Sequence, residues 1–168
     1  RALKYGGTDV MLRYQRVLQQ QKGYDDVPDS VRIAKPNDYY LGNANSQFVR
    51  VQYAYKDYLK LGFVAEKDPG EPFLPKSDTL RKGFDFYSAH LFIKNMGVVK
   101  QLAIGDYHVQ FGQGLTMWSG FSVGKAAGSV VMRKRAPALR PHASSNEYAF
   151  LRGAATTVGL GKFDLTAF

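Results

Sequence analysis

Residues 46–66 read SQFVRVQYAYKDYLKLGFVAE. Val49, Val51, Tyr53 and Tyr55 fall on one parity, and Arg50, Gln52 and Ala54 on the other. Successive side chains of a strand point to opposite faces, so this segment has one apolar and one polar face. Lys56-Asp57 interrupts the pattern. Leu59, Leu61, Phe63 and Ala65 then alternate with Lys60, Gly62, Val64 and Glu66. Two strands joined by a tight turn make a β-hairpin. Each strand has about ten residues, the length a tilted strand needs to cross a bilayer.

Working upstream, Val10, Leu12 and Tyr14 alternate with Met11, Arg13 and Gln15 and predict another strand. A tight turn is expected before it at Gly6-Gly7-Thr8-Asp9, with Leu3 to Tyr5 as the tail of an earlier strand. Residues 19–45 are polar, carry Pro28 and Pro36, and read as a long loop with a helical turn at Gln19–Lys22. Downstream, residues 67–82 form a second long loop with Pro69, Pro72 and Pro75. Gly83–Ile93 is a fourth strand, with Tyr87, Ala89, Leu91 and Ile93 opposed to Ser88 and His90. Lys94-Asn95-Met96-Gly97 turns into a fifth strand, Val98–Gly112. There Tyr107, Val109 and Phe111 alternate with Asp106, His108 and Gln110. A third long loop spans residues 113–147. A sixth strand, Tyr148–Gly159, and a seventh from Phe163 flank a turn at Leu160-Gly161-Lys162.

The connections alternate short, long, short, long along the chain. All short turns therefore lie at one end of the strands and all long loops at the other. Greek-key sandwiches mix their loop lengths, whereas outer-membrane barrels have short turns on one side and long loops on the other. The fold expected is all-β: an up-and-down antiparallel transmembrane β-barrel, or part of a larger one, with about seven strands. Residues 1–168 read as one barrel segment. The chain begins at Arg1 without an apolar leader and looks like a piece of something longer. Phe168 reads as a point inside a strand, because its parity partners Thr166 and Asp164 are polar.

Composition agrees with this class. The 168 residues are 45% hydrophobic with 11 Tyr and 11 Phe, yet mean hydropathy is −0.31. No run approaches the roughly 18 to 20 apolar residues of a membrane helix. Half of each barrel strand is polar, so a membrane barrel passes this filter. Cysteine is absent, which removes disulfide frameworks and thiolate metal sites. The net charge of +9 comes from 23 Lys+Arg against 14 Asp+Glu. It suits either solubility or an anionic partner such as nucleic acid or lipopolysaccharide.

In a barrel, Val49, Val51, Tyr53, Leu59, Leu61, Phe63, Leu91, Tyr107 and Val109 would face lipid. Tyr55, Tyr87, Phe111 and Trp118 would suit the aromatic girdles. Arg50, Gln52, His90, Asp106, His108 and Gln110 would face the lumen and pair across it, as would Arg13, Lys60 and Glu66. One charge cluster stands out: Arg133-Lys134-Arg135, followed by Arg140 and His142, all in the third long loop. It is a candidate surface for an anionic polymer, including DNA. That loop also carries Leu115, Met117, Trp118, Phe121, Val130, Val131 and Met132. These are costly to leave in water, so the loop is expected to fold partly back over the barrel mouth.

The runs FDFYSAHLFIKN, LAIGDYHVQFGQGLTMWSGFSVGK and LRPHASSNEYAFLRGAA together resemble large outer-membrane barrel proteins of Bacteroidetes that carry helix-hairpin-helix segments ahead of the barrel. VMLRYQRVLQQQKGY and FVAEKDPGEPF are similar to upstream pieces of the same barrels. The resemblance covers about Asp9 to Phe168 and implies an outer-membrane barrel fragment. It supplies no catalytic residues, and the helix-hairpin-helix segment that would imply DNA binding is not among these residues.

No nucleotide or metal motif emerges. Residues 120–126, GFSVGKA, have three residues between the glycines and Ala after Lys, where a P-loop needs four and then Ser or Thr. His90, His108 and His142 lack metal-ligand spacing, and no cofactor is expected. Asp106 and His108 share a strand face near Ser88 and His90, a set a hydrolase would use and a lumen network would use as well. The function expected is non-enzymatic: a transport, channel or surface-binding role in the cell outer membrane, with the lipid bilayer and lipopolysaccharide as surroundings. The alternative is a soluble, aromatic-rich β domain that binds carbohydrate or nucleic acid. That alternative requires Val49, Val51, Leu59 and Leu61 to point into a shared interior.

Overall fold

The computed structural model describes residues 5–35, 37–73, 83–120 and 137–168. In chain order the strands are β1 (Gly7–Arg16), β2 (Asn45–Tyr55), β3 (Leu59–Lys67), β4 (Phe86–Met96), β5 (Val99–Phe111), β6 (Met117–Trp118), β7 (Leu139–Pro141), β8 (Leu151–Leu160) and β9 (Phe163–Ala167). The sheet order is β1-β2-β3-β4-β5-β8-β9, and β6 and β7 both pair with β5. All seven predicted strands are present in the expected up-and-down order. The ladders joining β4, β5, β8 and β9 are antiparallel.

The sheet is not closed into a barrel. β1 and β9 stand at opposite ends of the strand order and do not pair among the described residues. Closure needs a first and a last strand that bond to each other. Here every residue of β1 is exposed.

Several local expectations are corrected. Gly7, Thr8 and Asp9 belong to β1 rather than to a turn. The helical turn expected at Gln19–Lys22 lies at Lys22–Tyr24 instead. A short helix, α1 (Asp29–Ala34), follows Pro28, whose fixed φ and missing donor suit a helix start. β4 runs three residues past Ile93, because Lys94 and Met96 pair with Gln101 and Val99. The turn therefore shifts to Gly97, at φ 63°.

The contacts divide the chain into two units. The first comprises Arg1–Asp9, Val51–Phe63 and Ser88–Phe168. Its core is Phe92, Ala103, Tyr107, Val109, Leu139 and Ala155, with Phe111, Met117 and Leu151 packed against it. Phe92 faces Ala103 and Ala103 faces Ala155, so one row runs across β4, β5 and β8. Tyr107 and Val109 are buried, which corrects their expected lipid-facing position. The cause is the third long loop. Its returning limb lays Leu139 opposite Val109 and Pro141 opposite Tyr107. Its outgoing limb pairs Trp118 with Gln110 and Met117 with Phe111. The Ser119 hydroxyl accepts the Val109 N–H at 2.7 Å. The described ends of this loop thus fold back onto β5. Phe121, Val130, Val131 and Met132 lie outside the described residues.

The second unit comprises Val10–Arg50 and Val64–Tyr87. Lys67 is buried, and its ammonium donates to Asn43 Oδ1, to the Asn45 carbonyl and to the Asp68 carbonyl. All three ammonium protons are used, so this buried cation is a structural pin between a loop and β3. Arg13 pairs with Glu66 at 3.1 Å and lies over the Phe48 ring at 4.9 Å.

Candidate functional site: a buried histidine–aspartate cluster

All three histidines gather in the first unit, around Asp106. Ser88 and His90 are two apart on β4, so the pleat sends both to one face, and both are buried. Gly62 leaves room for the second of them, since a Cβ there would stand 2.1 Å from the His90 ring. β5 supplies Asp106 and His108. The limb after β7 supplies His142, which is fully buried.

Gly105 sets the approach of β4 to β5. It lies opposite His90 and Gly153, at φ 94°. A Cβ there would be 2.2 Å from the Ala89 carbonyl oxygen, so no other residue fits without moving backbone. Just beyond it, Asp106 is 1% exposed. It accepts from Arg152 Nε at 2.7 Å and from Arg152 Nη2 at 2.9 Å, a bidentate, charge-assisted pair. The Asp106 carbonyl accepts the His142 N–H at 3.0 Å.

His142 Nδ1 and His108 Nε2 are 2.9 Å apart. Phe150 stacks on His142 at 4.5 Å, and the Arg152 guanidinium lies over Phe150 at 5.5 Å. Burial pushes the His142 imidazole below its ordinary pKa, opposed by the nearby Asp106 charge. Among the described residues no group of three His, Cys, Asp or Glu is arranged to hold a metal. No hydrogen bond among the described residues joins Ser88 to a histidine, so the nucleophile–base contact of a hydrolase is not made. The geometry supports proton sharing and strand fastening.

Of the expected lumen residues, His90, Asp106 and Gln110 are buried, whereas Arg50, Gln52 and His108 are half-buried. His90, Asp106 and His108 come together; the Gln110 N–H bonds to the Ala138 carbonyl. Of the expected girdle, Tyr87 is exposed and Tyr55, Phe111 and Trp118 are half-buried. Phe111 stacks on Phe168 with ring centres 5.9 Å apart. Trp118 donates to the Gly120 carbonyl and lies under the Arg140 guanidinium at 5.7 Å. Arg133, Lys134 and Arg135 lie outside the described residues. Arg140 sits on Trp118 and His142 joins the cluster.

Arg152 and Phe150 were not singled out from the sequence. The signal that finds Arg152 is its register opposite Asp106, which needs the strand pairing to be known. Comparison with known proteins finds no matching family model, no similar curated protein and no similar solved structure.

Proposed function

We propose that the chain is an arc of an outer-membrane β-barrel, related to the Bacteroidetes barrels that carry helix-hairpin-helix segments. Its role is non-enzymatic, in transport, as a channel or in surface binding. The observation that carries this reading is an inverted distribution of polarity. Apolar strand residues are exposed: Val51, Leu61, Phe63 and Ile104 in the first unit. Alternate polar residues are buried in the same unit: Ser88 and His90 on β4 and Thr157 on β8. A large apolar side chain left wholly in water forfeits about 1.5–3 kcal/mol and a partly exposed one a share of that, and exposed apolar surface on strands is what a membrane or a partner covers. A bilayer around the apolar face removes that cost, and a lumen network satisfies the polar one. β1 and β9 are where further strands would continue the sheet.

The soluble alternative, an aromatic-rich β domain binding carbohydrate or nucleic acid, calls for Val49, Val51, Leu59 and Leu61 in a shared interior. Val49, Val51, Leu59 and Leu61 are absent from the buried cluster, and Val51 and Leu61 are exposed.

In this reading the loop face meets lipopolysaccharide, and the basic stretch Arg133 to Arg140 binds an anionic polymer. The test is co-flotation with phospholipid vesicles after refolding, with β-rich circular dichroism. Flotation at high salt supports the barrel. A monodisperse, detergent-free monomer that stays with the aqueous fraction refutes it.

A further inference from the structure

We propose that His108 and His142 form a proton-sensitive latch that fastens the returning limb of the third long loop to β5. The proposal rests on the geometry of the pair and holds whether or not the strands cross a bilayer.

Two facing ring nitrogens 2.9 Å apart accommodate one proton between them. In the neutral pair one ring donates and the other accepts. A first added proton leaves an imidazolium donating to an imidazole, and the contact survives. A second makes both nitrogens donors, so the contact has no acceptor and two positive rings abut. The two steps belong to the pair rather than to either ring.

The surroundings sharpen the second step. Asp106 on β5 is the carboxylate of the cluster, and Arg152 on β8 already holds both its oxygens. Arg140 on β7 stands opposite His108 in the strand register. Burial is the largest influence on His142 and holds its imidazole below the ordinary pKa, with Asp106 favouring its charge and Arg152 opposing it. His142 is fully buried beneath Phe150, so water does not relieve the repulsion in place. The limb must move.

What it would release is defined. The limb is tied to β5 by the register Tyr107–Pro141, His108–Arg140 and Val109–Leu139. The Gln110 N–H to Ala138 bond and the His142 N–H to Asp106 bond flank it. Opening frees these amides together and uncovers Tyr107 and Val109, while the β8–β9 ladder stays closed.

The experiment is amide hydrogen exchange on the protein from about pH 7.5 to about pH 4.5, corrected for intrinsic exchange. The expected result is a rise of about tenfold or more in peptides covering residues 106–111 and 137–142. Peptides of β8 and β9 should keep their protection. His108→Gln and His142→Gln replace the proton site by an uncharged hydrogen-bonding group and should remove the pH dependence. Titration of the ring carbons by NMR in the unsubstituted protein should show two coupled steps, a readout that does not require either variant to fold. Equal protection at both pH values, loss of protection across all strands at once, or independent single titrations would each overturn the latch.

Discussion

Gly105→Ala and Gly97→Ala make a matched pair, because both glycines have positive φ but different surroundings. Gly97 sits in the β4–β5 turn at φ 63° with nothing within 4 Å of a Cβ. Alanine there meets only backbone strain, about 1–2 kcal/mol. Gly105 adds a collision: its Cβ would be 2.2 Å from the Ala89 carbonyl oxygen and 3.2 Å from His90 Cα. Both obstacles are backbone, so no rotamer change relieves them. Overpacking of this kind costs about 1–3 kcal/mol. Added to the strain, it brings Gly105→Ala to about 2–5 kcal/mol, roughly 1–3 above Gly97→Ala. The β4–β5 ladder would have to open at His90, beside the histidine cluster. Urea unfolding followed by fluorescence of Trp118, the sole tryptophan, measures both. Equal destabilisation of the two variants would show that β4 and β5 are not held as close as described.

The Arg152–Asp106 pair is asymmetric, with side-chain exposures of 62% and 2%. Arg152→Ala strands a buried carboxylate and should cost about 2–3 kcal/mol, discounted from a fully buried pair because the guanidinium is solvated. Adding Asp106→Ala should restore part of that loss in the same urea assay; a double variant less stable than Arg152→Ala would refute the burial argument. For the basic stretch, replacing Arg133, Lys134, Arg135 and Arg140 by Gln should reduce the salt slope of single-stranded DNA binding by about 3. Binding that is absent, or indifferent to salt, would leave the stretch a solvated loop.

The meander was legible because period-two alternation and loop length survive in a single sequence. All seven long strands followed from them, including the β2–β3 hairpin. Alternation does not report which face is covered, and that is where Tyr107 and Val109 were misplaced. Their cover comes from Leu139, about thirty residues further on, in a limb too short to show periodicity of its own. β6 and β7 were invisible for the same reason. The cluster was half legible. Ser88, His90, Asp106 and His108 share parity on adjacent strands, but His142 read as part of a basic loop. Its partnership with His108 depends on where that loop returns. Gly105 looked like one more small residue in a strand, since a positive φ leaves no mark on hydrophobic patterning.

The inverted polarity of the strands is tested most directly by single spin labels, which the absence of cysteine makes simple to place. Labels at Leu61, Phe63 and Ile104 report the apolar face; labels at Ser88 and Thr157 report the buried polar face. In reconstituted vesicles the first three should relax through dissolved oxygen, which concentrates in lipid, and ignore a water-soluble nickel chelate; the other two should lack the lipid-like oxygen response. Strong relaxation by the chelate at Leu61, Phe63 and Ile104 would place that face in water and contradict the membrane-barrel reading.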